Sequence, residues 1–300
     1  MSHNAPTQIA LAIDIGGTKL AAGLVGSDGR VLARDEVPTP STTSEDVLFE
    51  ALVDLIGTVT QDCVSYDVCG VGCGGPMTLN GVLVSPLNIP AWRAFPLSSK
   101  LEDTLGVSVA IDNDAKALAL GEAWYGAGRR FKNFLAMVVS TGVGGGLVVD
   151  GMLLDGASGN AGHIGHVIVE PEGARCGCGA QGCLEAEASG PAIERRIGTK
   201  PSEADINEKV RAGTMVGRAV ASVVNLLDLE QVLIGGSVAL GFGEPFLDAA
   251  NRELARRCQL EFSQGVRIST VELGHNAPIV GAAAIGFRST EKAVRGSRSD

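Results

Sequence analysis

Three of the chain's seven cysteines and two of its four histidines fall within one stretch, His163 to Glu185 (H-I-G-H-V-I-V-E-P-E-G-A-R-C-G-C-G-A-Q-G-C-L-E). Cys176, Cys178 and Cys183 stand at C-x-C-x4-C, and His166 precedes the first of them by ten residues. Gly177, Gly179 and Gly182 let the backbone turn tightly enough to bring the sulfurs together. Three thiolates and one imidazole form a closed tetrahedral set of the kind that holds structural Zn2+. The alternatives are a disulfide or three idle thiols. A bridge between Cys176 and Cys178 would be strained across a single residue, and nothing marks the chain as secreted. His163 and Glu185 flank the set without being needed by a metal. A metal-braced loop holds such groups rigidly against a ligand, which a free loop does not.

A second kind of chemistry is written in the glycines. Ile9 to Asp14 reads as a buried strand, runs into Gly16-Gly17-Thr18-Lys19, and continues as a second strand from Leu20 to Val25. The turn therefore joins two strands, which excludes both the dinucleotide fingerprint and the Walker loop. Its backbone N–H groups and the Thr18 hydroxyl suit phosphate oxygens, and Asp14 at the strand end suits Mg2+ held through water. An ordinary hairpin with a polar tip is the alternative. The same device recurs: a strand from Leu135 to Ser140, then Thr141-Gly142-Val143-Gly144-Gly145-Gly146, then a strand from Leu147 to Val149. Two related halves, each offering one phosphate-binding hairpin, account for the repeat.

The elements that must position these groups alternate strand and helix. Thr43 to Asp62 is expected to be helical, with Val47, Leu48, Ala51, Leu52, Leu55 and Ile56 facing the core. A strand from Asp67 to Cys73 leads into Gly74-Gly75-Pro76. Ser85 to Trp92 is a proline-braced loop: Asn88 and the indole suit a polyol, or the loop only packs Trp92 into the core. A strand from Val107 to Ile111 delivers Asp112-Asn113-Asp114 to a helix from Ala115 to Tyr125. One cap residue would suffice there, so the triplet points to a site. From Gly190 the chain is mostly helical, with Met215, Ala219, Val223 and Leu226 as a core stripe. Gln231 to Ile234 is a strand ending at Gly235-Gly236-Ser237, small residues that suit an adenine ring or a helix-start turn. A helix from Gly243 to Cys258, a strand from Val266 to Leu273 and a helix from Ala277 to Phe287 follow, and the tail from Arg288 reads as frayed.

Composition limits the partners. The net charge of −10 argues against nucleic acid or an anionic membrane, and no apolar run approaches a membrane span. Met1 to Gln8 lacks the form of a signal peptide. Cys63, Cys69, Cys73 and Cys258 lie in apolar surroundings and read as reduced core residues, so a cytoplasmic setting is expected. Two phosphate hairpins, a strand-end carboxylate and a rigid polar loop together suit phosphoryl transfer to a hydroxyl.

At these residues the chain resembles the ROK sugar kinases. The resemblance runs from Ile9 to about Phe287 and rests on four motifs. They are A-I-D-I-G-G-T-K (Ala12 to Lys19), D-N-D-A (Asp112 to Ala115), S-T-G-V-G-G-G (Ser140 to Gly146) and C-G-C-G-x-x-G-C-x-E (Cys176 to Glu185). It implies an α/β, actin-like, duplicated ribonuclease-H-like fold of two lobes, with sugar and ATP in a central cleft and a zinc-braced loop. The small lobe would be residues 1–116 with the C-terminal helix 278–300, and the large lobe 117–277.

Asp114 is then implied as the general base on the sugar 6-hydroxyl, with Asn113, Gly75 and Asn88 beside the ring. Glu185 and His166 would meet the anomeric side, His166 giving one ring nitrogen to zinc and the other to sugar. Asp14, Gly16, Gly17, Thr18 and Lys19, with Thr141, Gly142 and Gly144, would take the phosphates of Mg2+–ATP, and Gly235 and Gly236 the nucleoside. A homodimer is also implied. One departure stands out. Most of the family has G-E-x-G-H where this chain has Gly162-His163-Ile164-Gly165-His166. An imidazole donates where a carboxylate cannot, so the pocket at the sugar's 2-position must differ. The G-H-I-G-H form resembles the N-acetylmannosamine kinases of the family, whereas Asn88 to Trp92 and Asp112 to Gly128 look more like its glucokinases. A sugar-sensing regulator of the family would carry a DNA-binding domain, for which eight residues before the first strand leave no room. Lys116 replaces a small or amide side chain.

Overall fold

The computed structural model describes residues 8–62 and 65–296, with side chains described to residue 290; Cys63 lies outside the described residues. The chain divides into two compact units. Unit 1 comprises Met1–Tyr125, Asp155–Asn160 and His275–Asp300, and unit 2 comprises Gly126–Leu154 and Ala161–Gly274.

Unit 1 opens with β1 (Ile9–Ile15), β2 (Lys19–Gly26) and β3 (Val31–Pro38), followed by α1 (Glu45–Thr60), β4 (Val68–Cys73), α2 (Leu97–Leu105), β5 (Val109–Asn113) and α3 (Asp114–Tyr125). Its sheet runs β3-β2-β1-β4-β5. The first three strands are antiparallel, and β4 and β5 add in parallel on the other edge of β1. Strands covered on both faces need unbroken apolar runs, which is why β1 and β4 were legible as sequence. One face of the sheet packs Leu11, Ile13 and Val71 against Leu48, Leu52, Leu55 and Ile56 of α1 and against Trp92 and Phe95. Ser44 caps α1 by accepting the Val47 N–H, and Glu45 and Asp46 suit the positive end of the helix.

Unit 2 contains β6 (Phe134–Val139), β7 (Val143–Val149), β8 (Met152–Leu153), α4 (Leu184–Ala188), α5 (Gly190–Ile197), α6 (Ile206–Leu227), β9 (Gln231–Gly235), α7 (Ser237–Phe242), α8 (Glu244–Arg257) and β10 (Ile268–Thr270). Its sheet runs β10-β9-β6-β7-β8. Again three successive strands are antiparallel, and two more, β9 and then β10, add in parallel on the other edge of β6. The two sheets share one connectivity, so the duplicated α/β architecture expected from the two glycine turns is present. The chain then returns to unit 1 as α9 (Ala277–Gly296), which packs Ile279, Ala282 and Ala283 on the second face of the first sheet, against Ala10, Ala12 and Val68. Gly281 lets α9 sit on α3, because a Cβ there would collide with the Ala117 carbonyl.

Several expectations are corrected. The second glycine run is not a six-residue turn. Gly144, Gly145 and Gly146 lie inside β7, paired with Val138, Met137 and Ala136, and only Ser140 to Gly142 turn. Gly145 is small for packing reasons, since a Cβ would lie 2.9 Å from Leu135 and 3.1 Å from Ile164. Leu226 is 79% exposed, so the stripe of α6 is instead Ala212, Met215, Val216, Ala219, Val220 and Val224. Val47 is 47% exposed, and Val59 takes its place in the core. The strand expected from Val266 to Leu273 is only Ile268–Thr270, and the last helix runs on to Gly296, so Arg288 is helical and not frayed. Cys69, Cys73 and Cys258 are buried free thiols, as expected. Among the described residues no helix is long and apolar enough to cross a membrane.

Candidate active site

In unit 1 the parallel strands end in register. Asp14 of β1 pairs across to Gly72 of β4, and Gly72 to Asp112 of β5; one step on, Ile15, Cys73 and Asn113 align. Gly72 separates Asp14 from α3. A Cβ on it would lie 3.6 Å from Asp14 Oδ1 and 3.7 Å from the Asp114 Cα, so its absence opens the space between the two acids. Burial and, after it, the negative charge of Asp114 push the Asp14 carboxyl up to about 7, against smaller lowering effects of Lys19 and Arg34. Two carboxylates crowded in this way favour a cation between or beside them. Asp114 is the first residue of α3 and is exposed at the helix N-terminus. Its Oδ1 accepts the Ala115 N–H at 2.8 Å, and Asn113 Oδ1 accepts the same N–H at 3.0 Å.

The same unit holds seven of the other expected residues, Gly16, Gly17, Thr18, Lys19, Gly75, Asn88 and Asn113. The hairpin tip of Gly16, Gly17 and Thr18 is tied down by Thr39, whose hydroxyl donates to the Gly16 carbonyl at 2.7 Å. Gly17 faces Asn88, and a Cβ on it would stand 2.6 Å from that side chain's own Cβ. Gly75 lies beside Asn113, whose Nδ2 would be 3.8 Å from a Cβ there. Lys19 departs from the group: its Nζ pairs with Glu36 at 2.9 Å, both side chains being about half exposed. Trp92 is wholly buried, stacked on Phe95 at 4.5 Å with its Nε1 donating to the Glu45 carbonyl, so the indole is core, whereas Asn88 of the same loop is exposed.

In unit 2 the short turn after β6 touches both the metal-type loop and the start of α7. Glu185, in the first turn of α4, accepts the Val143 N–H at 2.9 Å, with Oε2 also against Gly142. Gly142 and Thr141 thereby sit beside Glu185, whereas Gly144 is held in the sheet. Gly236 adopts φ +98, and a Cβ would strike the Val139 carbonyl; the next residue, Ser237, shares a hydrogen bond with Ser140 at 2.8 Å. The glycine pair is thus a helix-start turn next to the phosphate-type turn. Behind it lies a cavity of about 210 Å³ lined by Ile234, Ala239, Leu240, Phe246 and Thr270. A smaller one, about 150 Å³, runs from Thr141 and Glu185 to Cys176, Arg175 and Arg195. Neither arginine was singled out from the sequence, where each reads as surface charge.

The four expected metal donors converge. The donor atoms of His166, Cys176, Cys178 and Cys183 all lie within 4.8 Å of one another. Cys178 Sγ and Cys183 Sγ are 3.7 Å apart, as are Cys176 Sγ and His166 Nδ1. A tetrahedron of sulfurs about 2.3 Å from a central ion has edges of about 3.8 Å, so the spacing fits one ion inside the set. Gly182 is required here, because at φ +73 a Cβ would run into the Glu170 carbonyl that its own loop must pass. Glu187, one turn into α4, accepts the Ala174 N–H at 2.6 Å and is paired with Arg211 and Arg196, which anchors the loop to α4 and α6. With Nδ1 turned to the sulfurs, His166 keeps Nε2 on the opposite edge of its ring. The His163 ring lies 6.1 Å away and inclined by 20°.

Sequence reasoning also missed what surrounds Lys116. This side chain is 3% exposed, and its Nζ meets Asp112 at 2.8 Å, Asp155 at 3.0 Å and the Gly159 carbonyl at 3.2 Å. Arg288 holds Asp155 from the other side at 2.8 Å. Burial alone would raise the Asp155 carboxyl, but hydrogen bonds from Arg288 and Lys116 outweigh it and hold the group far below the usual carboxylate range. The oddity of a lysine in the first turn of α3 was the sole signal; Asp155 and Arg288 are too distant in sequence to be read.

The chain is similar to known proteins over most of its length. The N-acetylmannosamine kinase of Citrobacter koseri is 37% identical over 292 residues, covering 92% of this chain and 97% of that protein. The glucokinase of Thermotoga maritima is 31% identical, covering 92% and 96%. A ROK family glucokinase from Streptomyces griseus, solved with glucose and AMPPNP, superposes with a TM-score of 0.82 at 29% identity, covering 93% of this chain and 99% of that one. The family model described as ROK family matches residues 10–288, and the chain belongs to the ROK family.

Proposed function

We propose that this protein is an ATP-dependent kinase that phosphorylates N-acetylmannosamine on its 6-hydroxyl. Family membership and likeness to N-acetylmannosamine kinases and a glucokinase support the sugar kinase. The observation that carries the chemistry is Asp114, exposed at the head of α3, beside Asn113 and across Gly72 from Asp14. In the reaction the 6-hydroxyl oxygen attacks the γ-phosphorus, the bond to the β-phosphate oxygen breaks, and the hydroxyl proton passes to the Asp114 carboxylate. Asn113, Gly75 and Asn88 orient the sugar ring. The N–H groups of Gly16, Gly17 and Thr18, and those of Thr141 and Gly142, would bind phosphate oxygens, and Asp14 would hold through water the Mg2+ that neutralises them. Most of the rate then comes from positioning and charge stabilisation. Gly235 and Gly236 take the nucleoside, with the apolar cavity behind them suited to a purine. Lys19, paired with Glu36, must swing to contribute.

The cysteine set fits Zn2+ by donor chemistry and by spacing, with His166, Cys176, Cys178 and Cys183 as its four ligands. A bound zinc supplies rigidity, fixing the loop that carries His163, His166 and Glu185. His166 Nε2 and Glu185 then hydrogen-bond the anomeric side of the sugar.

N-acetylmannosamine is favoured over glucose by His163. Its imidazole stands where a carboxylate is usual and donates a hydrogen bond that an N-acyl carbonyl accepts. Glucose phosphorylation is the second reading, favoured by the Asn88 to Trp92 loop and by the glucokinase relative. The test is ADP release with N-acetylmannosamine, glucose, mannose and N-acetylglucosamine as acceptors. The highest kcat/KM on N-acetylmannosamine is expected; a glucose preference would replace the first reading with the second, and no turnover on any sugar would remove both.

A further inference from the structure

We propose that Lys116 and Asp155 are positioning residues for phosphoryl transfer, closing with Asp112 and Arg288 a ring of four charges that fixes the joint carrying Asn113 and Asp114. The inference rests on the kinase reading above. It begins from a buried ammonium. Lys116 Nζ has three N–H bonds to give and three acceptors to give them to: Asp112 Oδ1, Asp155 Oδ1 and the Gly159 carbonyl. A fully matched buried cation has one geometry available, since any rotation leaves a charge unpaired in a low-dielectric interior. Asp155 is matched in turn by Arg288 Nη2 at 2.8 Å and Nη1 at 3.3 Å, and Arg288 Nη1 reaches Asp112 Oδ2 at 4.0 Å. Two cations and two anions thus close on themselves.

What makes the ring functional is where it sits. Asp112 is the penultimate residue of β5 and Lys116 lies in the first turn of α3, so their bond spans the junction whose middle residue is Asp114. The Asp112 oxygen that holds Lys116 also accepts the Asn113 N–H at 2.8 Å, pinning the backbone that aims both side chains. The far side of the ring is anchored twice. Asp155 and Gly159 belong to the short segment Asp155–Asn160, which joins unit 1, and Arg288 belongs to α9, which packs on α3. Apolar side chains of similar volume would fill this space with equal or greater stability. The charges add a single orientation for the strand-to-helix joint, and phosphoryl transfer depends steeply on such orientation.

The test uses the intact protein with the sugar that wild type turns over best. Lys116→Met keeps the volume and removes the charge. The expected result is a fall in kcat of roughly 10²-fold, the loss associated with a small misplacement of a reacting group. Sugar affinity, measured by calorimetry, stays within about threefold and the circular dichroism spectrum is unchanged, since neither Lys116 nor Asp155 is itself assigned to the sugar. Asp155→Asn, at a part-exposed position, gives a fall in the same direction. The double variant is little worse than Lys116→Met alone, because the two residues act through one ring. Lys100→Met, which removes a surface pair with Asp46, leaves kcat unchanged. A folded Lys116→Met protein with wild-type kcat, a loss confined to sugar affinity, or simple additivity would each overturn the proposal. If Lys116→Met does not fold, Asp155→Asn decides by the same kcat criterion. Inactivity of the wild type on every sugar would fault the kinase reading itself, whereas an active wild type with indifferent variants faults only the ring.

Discussion

Asp14→Asn should stabilise the ligand-free protein at neutral pH while abolishing its use of ATP. The Asp14 carboxyl is pushed from 3.8 to about 7 by burial and by the neighbouring charge of Asp114. A folded-state value above the unfolded one means that the proton is held more tightly in the native protein. The stabilising contribution is therefore complete below about pH 4 and is lost as pH rises through 7. Each pH unit in that gap corresponds to about 1.4 kcal/mol, so the wild type gives up roughly 4 kcal/mol between pH 4 and pH 8. Asparagine keeps the shape and never ionises. Urea unfolding across pH 4 to 8 should show the variant level with wild type at the acid end and ahead by roughly 2–4 kcal/mol at pH 8, allowing for water that screens the site. Saturating Mg2+–ATP should cancel the difference by stabilising only the wild type. A stability gap between the two proteins that does not change with pH would refute the reasoning, as would a variant less stable than wild type at pH 8.

Cys178→Ser removes one of four converging donors, so metal content measured by mass spectrometry should fall from one ion per chain to near zero, and sugar affinity with it. Chelation of the wild type should have the same effect, reversed by added Zn2+. His163→Glu restores the carboxylate usual in the family and should shift the ratio of kcat/KM for N-acetylmannosamine over glucose toward glucose by about 10-fold or more, read from a two-substrate competition. Gly281→Val places a branched side chain against the Ala117 carbonyl and should cost roughly 2–3 kcal/mol in urea unfolding, displacing α3 with it.

How much of this was legible follows from the reach of each interaction. The central strands announced themselves because both their faces are covered: I-A-L-A-I-D and L-A-M-V-V are apolar without alternation. Edge strand β3 did not, because V-L-A-R-D-E-V-P carries its charges at the solvent side and reads as loop. Helix α2 was missed between Pro96 and Gly106, its L-S-S-K-L-E-D-T-L showing only Leu97 and Leu101 to the core. The Gly144 to Gly146 run misled because glycine marks both turns and close packing, and only the tertiary neighbours Leu135 and Ile164 separate the two. The donors of the cysteine loop could be read because they are local. The ring around Lys116 could not, since Asp155 and Arg288 come from 39 and 172 residues away. Glu36 was likewise invisible as the partner that draws Lys19 aside.

The role of Asp114 is the point on which the chemistry turns, and single-turnover ADP formation by Asp114→Asn, with sugar binding followed in parallel, examines it most directly. Loss of the base should slow the chemical step by roughly 10²–10⁴-fold while the sugar still binds within a few-fold of wild type. Wild-type phosphoryl transfer by a correctly folded Asp114→Asn protein would contradict the assignment.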